Sequence, residues 1–380
     1  MTITGIICEY NPLHIGHKKQ LDHIRRTDPD GGIVCLMSGN FVQRGAPAIV
    51  DKSLRAKAAV LCGADLVLEL PVTATLSSAE GFAAKGVAIL SGFCTNLSFG
   101  AETADKTLLL DTAKTLLSDS FSVTLRQYLD KGLSFPAARQ AALETMGCDG
   151  DFLSLPNNIL AVEYCKAILS QGCNIVPMPI SRKGSYHDLC ADPENPSATA
   201  LRNLMETSGQ WDRYVPDAAV PCFKDATLHA LDMGERAILG KLRTMTDTEF
   251  EALPYGSEGL WRKLMHAART EATLEDILTA TKSKRYTRSR LDRMVMCAFL
   301  GITAEILDGP IPYTRVLAFN DKGREILKKA KQTGCFPNVG EAQAHPYQQL
   351  ENRCGDLYGL FARQGPERPN SERQQRIFHI

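Results

Sequence analysis

The sequence predicts an α/β fold: an open parallel sheet over about residues 1–210, followed by a mainly helical C-terminal domain over 211–380. Three observations predict it. Short apolar runs at Ile3 to Cys8, Gly32 to Ser38, Leu66 to Leu70 and Leu97 to Gly100 read as buried strands. Segments of helical period separate them, the order that builds parallel sheets through crossover helices. Beyond about residue 210 helical segments follow one another almost without interruption. A chain of 380 residues also exceeds the usual length of one domain.

The first strand ends in Glu9-Tyr10-Asn11-Pro12-Leu13-His14-Ile15-Gly16-His17, and a helix begins at about Gly16. Two imidazoles therefore stand where a strand hands over to a helix. In an open α/β sheet that is where ligands bind, and a helix start offers unpaired N–H groups to an anion. Gly16 lets a large ligand approach the backbone. A phosphate-binding turn fits His-x-Gly-His better than a metal site, because zinc normally takes a third protein ligand and only Glu9 is near.

The second strand runs into Gly39-Asn40-Phe41-Val42-Gln43-Arg44-Gly45-Ala46-Pro47, a loop long enough to fold over a ligand at the first turn. Asn40, Gln43 and Arg44 are its candidate contacts to a phosphate or a small acid. Asp51 caps a helix to Leu61, with Lys52 and Arg55 near its start. Pro71 stops the third strand, in which Glu69 needs a partner. Ser77 or Ser78 caps the next helix, and the fourth strand ends at Gly100, a candidate for close nucleotide approach.

Residues 103–171 read as mostly helical, broken at Leu155-Pro156-Asn157-Asn158. One asparagine serves as a cap, which leaves the other amide for a base or ribose. Asn174 to Ile180, with Pro177 and Pro179, suits an edge strand. It delivers Arg182-Lys183-Gly184-Ser185-Tyr186-His187-Asp188, a polyanion-facing turn. Ser197 or Thr199 then caps a helix whose Arg202 lies close enough to grip the same phosphate.

Residues 211–224 look like a junction, followed by helices and by the densest basic run: Lys282, Lys284, Arg285, Arg288, Arg290 and Arg293, with Tyr286 among them. Such a run suits phosphate-backbone contact. Ile311 to Phe319 reads as a further strand, and the polar stretch Arg363 to Arg376 as loosely ordered.

Composition narrows the classes. Hydrophobic content of 44% is that of a folded globular chain, and Lys+Arg and Asp+Glu balance at 43 each, so nucleic-acid binding must rest on a local patch. The 12 cysteines show no C-x-x-C pair. Without a signal peptide they read as reduced thiols of a cytoplasmic protein. No apolar run is long enough to cross a membrane. G-x-x-x-x-G-K-[ST] and G-x-G-x-x-G are both missing, which argues against GTPase, kinase and hydride-transfer chemistry.

His14-Ile15-Gly16-His17 after a first strand, with Ser197-x-Thr199-x-x-Arg202 after a late one, resembles the HIGH-motif nucleotidyltransferase superfamily. Glu9-Tyr10-Asn11-Pro12-Leu13-His14-x-Gly16-His17, Met37-Ser38-Gly39-Asn40-Phe41-x-Gln43-Arg44-Gly45, Leu155-Pro156-Asn157-Asn158-Ile159-Leu160 and Arg285-Tyr286-Thr287-Arg288 together resemble the bacterial tRNA(Met) cytidine acetate ligases. The match runs from residue 1 to about 300. The resemblance implies a Rossmann-like, HUP-type nucleotidyltransferase domain and a tRNA-binding helical domain.

It also implies a two-step reaction. ATP and acetate would give acetyl-adenylate, and the acetyl group would pass to N4 of the wobble cytidine of elongator tRNA(Met). The family's ATP site would fall on Ile7, Cys8, Glu9, Tyr10, Asn11, Pro12, Leu13, His14, Ile15, Gly16, His17, Lys18, Lys19 and Gln20, with Gly100, Asn157 or Asn158, and Arg182. His14 and His17 would be catalytic, and Ser197, Thr199 and Arg202 would be phosphate contacts. Asn40, Gln43 and Arg44 would meet acetate or tRNA. Lys282, Lys284, Arg285, Arg288 and Arg290 would bind tRNA, and Mg²⁺ is expected through the phosphates. The rivals are an adenylyltransferase for a small phosphorylated metabolite, a synthetase-like amino-acid activator, and a non-catalytic RNA-binding protein. The basic helical domain argues against the first, the lack of lysine in Ser197 to Arg202 against the second, and the intact histidines against the third.

Overall fold

The computed structural model describes residues 1–182, 196–207, 209–283, 285–310, 313–330, 347–369, 371–375 and 377–380. Its strands are β1 (Ile3–Cys8), β2 (Gly32–Ser38), β3 (Phe41–Val42), β4 (Ala46–Pro47), β5 (Leu66–Leu70), β6 (Asn96–Ala101), β7 (Val176–Ser181), β8 (Arg315–Phe319) and β9 (Phe378–His379). Seven of them form one sheet in the order β7-β6-β1-β2-β5-β8-β9, and β3 and β4 make a separate hairpin. Pairing from β7 to β5 is parallel throughout, and β8 lies antiparallel to β5.

The apolar runs are strands because both faces of the sheet are covered. Along β2 every residue is buried. Ile33, Cys35 and Met37 pack on one side with Leu21 and Ile24 of α1 (Ile15–Thr27) and Ala56, Ala59 and Val60 of α2 (Lys52–Leu61). Val34 and Leu36 pack on the other, with Phe82 and Val87 of the helix Ala79–Leu90 and Val162 and Cys165 of the helix Pro156–Ser170. The period of two sends alternate side chains to opposite layers. β7 takes the sheet edge, where Pro177 and Pro179 remove no donor the ladder needs.

Strand order reverses at β1: β2 and β5 continue to one side, β6 and β7 to the other. The crevice beyond the carboxyl ends of β1 and β6 is thus the topological switch point. The helices Glu235–Thr244, Leu260–Thr270, Leu274–Thr281, Arg288–Leu300 and Tyr347–Tyr358 surround a second core around Ile238, Leu242, Phe250, Leu264, Leu291 and Met294. Phe41, Val72 and Leu76 from the first half enter that core, which seats the β3–β4 hairpin against the helices.

The C-terminal stretch departs from the expectation of a loosely ordered tail. Glu372 is buried, and its carboxylate meets Lys52 Nζ at 2.5 Å and pairs with Arg315. β9 then pairs with β8. A polar tail is held here because its one buried carboxylate neutralises two cations that the sheet would otherwise enclose. No helix among the described residues is long and apolar enough to cross a membrane.

Candidate active site

The turn after β1 is built by its own side chains. Tyr10 stands at φ +43°, a left-handed conformation uncommon outside glycine, with its ring buried and its hydroxyl 3.4 Å from Cys35 Sγ. His14 caps α1: its Nδ1 accepts the Gly16 N–H at 3.1 Å, and His17 Nδ1 accepts the His14 N–H at 3.2 Å. The two rings stack with centroids 3.7 Å apart, and a Cβ on Gly16 would press on the His14 ring at 3.0 Å.

This reciprocal capping determines the tautomers. Each Nδ1 is an acceptor, so each neutral ring carries its proton on Nε2. His14 Nε2 is buried with no protein partner. Burial, with the Arg182 and Arg202 guanidiniums nearby, pulls the His14 pKa down to about 3. Burial, His14 and Arg182 likewise hold His17 well below the usual histidine range. Both rings are neutral N–H donors at physiological pH, and a polyanion is the ligand that such donors and two arginines would accept.

A cavity of about 500 Å³ opens at this turn, within the range typical of small-molecule sites. Ile7, Cys8, Glu9, Tyr10, Asn11, His14, Gly16, His17, Lys19 and Gln20 line it from β1 and α1. Pro12, Leu13, Ile15 and Lys18 stand outside its lining; Leu13 is fully buried and Lys18 pairs with Asp22. Gly100, Asn157, Arg182, Ser197 and Arg202 line the other walls. Gly100 is open toward the Arg182 side chain, since a Cβ there would stay 3.6 Å from Arg182 Cδ.

The asparagine pair divides. Asn157 lines the cavity, its amide donating to Glu102 at 2.6 Å, whereas Asn158 is fully buried and accepts the Thr103 N–H at 3.0 Å while donating to Phe152 O. Ser197 caps the helix Ala198–Thr207 through the Ala200 N–H. Arg202 reaches back to Asn11 O at 2.9 Å and to Thr199 Oγ1 at 3.0 Å, which leaves Thr199 behind the cavity wall. Lys183 to Asp188 lie outside the described residues.

Gln43 and Arg44 also line the cavity, from the tip of the hairpin. The Gln43 N–H donates to Glu9 at 2.7 Å and its side chain to Ser77 O at 3.2 Å. Asn40 is instead buried beneath the hairpin, where it accepts the Lys52 N–H at 2.9 Å. Sequence reading placed Arg55 near the start of α2 but did not show its role in holding these pieces together. Arg55 is fully buried and donates to the carbonyls of Val50 at 2.8 Å, Glu9 at 2.6 Å, Ser38 at 3.3 Å and Gly39. It ties the ends of β1 and β2. A cation within the apolar stretch of α2 was the only available signal.

The basic run is less uniform than its sequence. Arg288 is clamped by Glu275 at 2.7 Å and Asp292 at 2.8 Å, and Arg290 donates to Tyr255 O and Ser257 Oγ. Arg285 pairs with Glu258 at 3.0 Å with both partners exposed, and Lys282 is exposed. Lys284 lies outside the described residues. Among the described residues no three His, Cys, Asp or Glu side chains converge as a metal site. The ten described cysteines are free thiols, and burial together with Cys35 keeps Cys8, in the cavity wall, protonated.

A helix start at the switch point of a parallel sheet, with paired histidines and arginines lining one cavity, is the arrangement of a nucleotidyltransferase-type enzyme. A family described as HIGH Nucleotidyl Transferase matches residues 1–374. The chain is 36% identical to the tRNA(Met) cytidine acetate ligase of Clostridium acetobutylicum over 92% of each chain. It is 38% identical to that of Clostridium tetani over 90% of each. Crystal structures of Thermotoga maritima TmcAL, 29% identical, superpose over all of both chains with TM-scores of 0.90 for an apo form and 0.89 for a form bound with alpha-thio ATP. The chain belongs to the tRNA(Met) cytidine acetate ligase family of HIGH nucleotidyltransferases.

Proposed function

We propose that this enzyme forms acetyl-adenylate from ATP and acetate and transfers the acetyl group to N4 of the wobble cytidine of elongator tRNA(Met). The observation that carries the reading is the stacked His14–His17 pair, which lines one cavity together with Arg182 and Arg202. An acetate oxygen attacks the α-phosphorus, and the bond to the β-phosphate oxygen breaks to release pyrophosphate. The cytidine amine then attacks the acetyl carbon. The bond to the adenylate oxygen breaks, AMP leaves with the electron pair, and the amine loses one proton to solvent.

In the first step His14, His17 and the arginines stabilise charge growing on the phosphates. Mg²⁺, held by phosphate oxygens and water, would supply further shielding of the leaving pyrophosphate. Asn157 and Gly100 suit the nucleoside end. No covalent enzyme nucleophile is required, in keeping with the protonated Cys8 thiol. Residues 1–210 would serve ATP and residues 211–380 tRNA, with β8 and β9 returned to the sheet. ATP and tRNA as substrates place the reaction in the cytoplasm.

The test is direct. Purified protein with ATP, acetate and bacterial tRNA should yield N4-acetylcytidine in nuclease digests, in elongator tRNA(Met) alone and only with ATP. Acetylcytidine absent under saturating substrates would refute the reading.

A further inference from the structure

The hairpin that carries Gln43 and Arg44 is attached to both halves of the molecule. On one side the Glu9 carboxylate, at the end of β1, accepts the Gln43 N–H at 2.7 Å. On the other, Gly45 closes the three-residue turn with φ +77° and donates to Val42 O at 2.9 Å. Gly45 is buried against the backbone of the helix Arg288–Leu300. A Cβ there would lie 2.5 Å from the Asp292 carbonyl carbon and 2.6 Å from the Arg293 nitrogen. Neither atom is a flexible side-chain end, so any side chain must lift the hairpin off the helix. That helix begins within the basic run, at Arg288 and Arg290.

The tip therefore has a particular address. The Gln43 amide donates to Ser77 O, and Arg44 is exposed at the cavity rim. An exposed guanidinium does not enclose a small carboxylate in a dry pocket, but it suits the phosphate of a strand crossing the rim. Resting on the tRNA reading above, we propose that the hairpin is a positioning element for acetyl transfer: Gly45 seats it on the helix that follows the exposed Lys282 and Arg285, so that Arg44 and the docked anticodon strand are held in register with the adenylate. Gly45 is the positioning residue, and its partner is the RNA backbone beside the acceptor cytidine.

The two half-reactions separate this role from a general structural one. For Gly45→Ala, acetate-dependent ATP–pyrophosphate exchange should stay within about twofold of wild type and tRNA Kd likewise. The kcat for acetyl transfer should fall about 10- to 100-fold, the scale of a misplacement near 1 Å. Exchange and transfer falling in proportion, or a raised tRNA Kd with unchanged transfer kcat, would overturn the proposal. Should the variant misfold, hydrogen exchange on the wild type decides. The Gln43 and Gly45 amides should exchange more slowly with tRNA bound, and unchanged rates would overturn the idea. Wild type lacking exchange activity would sink the acetate reading itself, while the amide experiment with tRNA still tests the hairpin.

Discussion

At the scale of the residue, the central device is local and was legible. His14 and His17 sit three residues apart on a helix start, and sequence spacing alone puts both at the carboxyl end of a strand. The structure adds why they are donors: reciprocal capping occupies each Nδ1 and burial keeps the rings neutral. His17→Ala should therefore lower acetate-dependent exchange by about 10²-fold or more while leaving tRNA affinity and the melting temperature nearly unchanged. An active variant would remove the pair from the phosphate site. The same burial makes a pH prediction. A histidine held near 3 in the folded state and near 6.5 unfolded makes the unfolded state bind more protons, so stability falls as pH drops below 6.5 toward 3. His14 alone should cost roughly 2 kcal/mol between pH 7 and pH 5. Urea unfolding at the two pH values with His14→Gln, whose loss should be smaller, checks it. Asn157 and Asn158 show where local reading ran out: both suit a cap, and only the position of Glu102 and Thr103 on a neighbouring element divides them.

Among elements, what was legible was what repeats along the chain. Five parallel strands and their crossover helices follow from apolar period, and the prolines of β7 forecast its edge position. Partners between elements were not legible. The basic run reads as one positive patch, yet Arg288 is neutralised by Glu275, 13 residues away on another helix, and Arg290 is turned onto Tyr255 O. Replacing Lys282 or Arg285 by Ala should weaken tRNA binding and reduce the salt slope by about one each. Arg288→Ala should leave that slope nearly unaltered and shift stability by less than about 1 kcal/mol, its pair being largely solvated. Filter binding across a salt series measures all three, and an equal slope change for Arg288 would return it to the RNA face.

For the whole molecule, the least legible feature is the buried charge cluster that joins the chain end to the sheet. Lys52, Glu69, Arg315, Glu351 and Glu372 come from five separated segments, so no window of sequence shows that they meet. Three carboxylates face two cations. Burial, with Glu69 beside it, accordingly raises the Glu351 pKa to about 7, despite the opposing pull of Lys52. Around Lys52, burial favours the neutral amine, but Glu372 and Glu69 outweigh it and hold the ammonium. Glu372→Ala leaves Lys52 and Arg315 to share Glu69, 2.5 Å from the first and 3.9 Å from the second, and should cost about 3–5 kcal/mol in urea unfolding; a loss below about 1 kcal/mol would contradict the tail's structural role. Glu351→Gln has the opposite sign: a carboxyl with a raised folded pKa is a liability as pH climbs from 4.5 through 7. The variant should match or exceed wild-type stability at pH 8.

Carboxylate activation at the switch point of the sheet is the chemistry that the whole molecule is proposed to serve. Acetate-dependent ATP–pyrophosphate exchange by the purified protein, with and without bulk bacterial tRNA, tests it most directly. Exchange with acetate alone, followed by acetyl transfer once tRNA is added, is the predicted result. Exchange supported by neither acetate nor any other small carboxylate, with ATP bound normally, would contradict it.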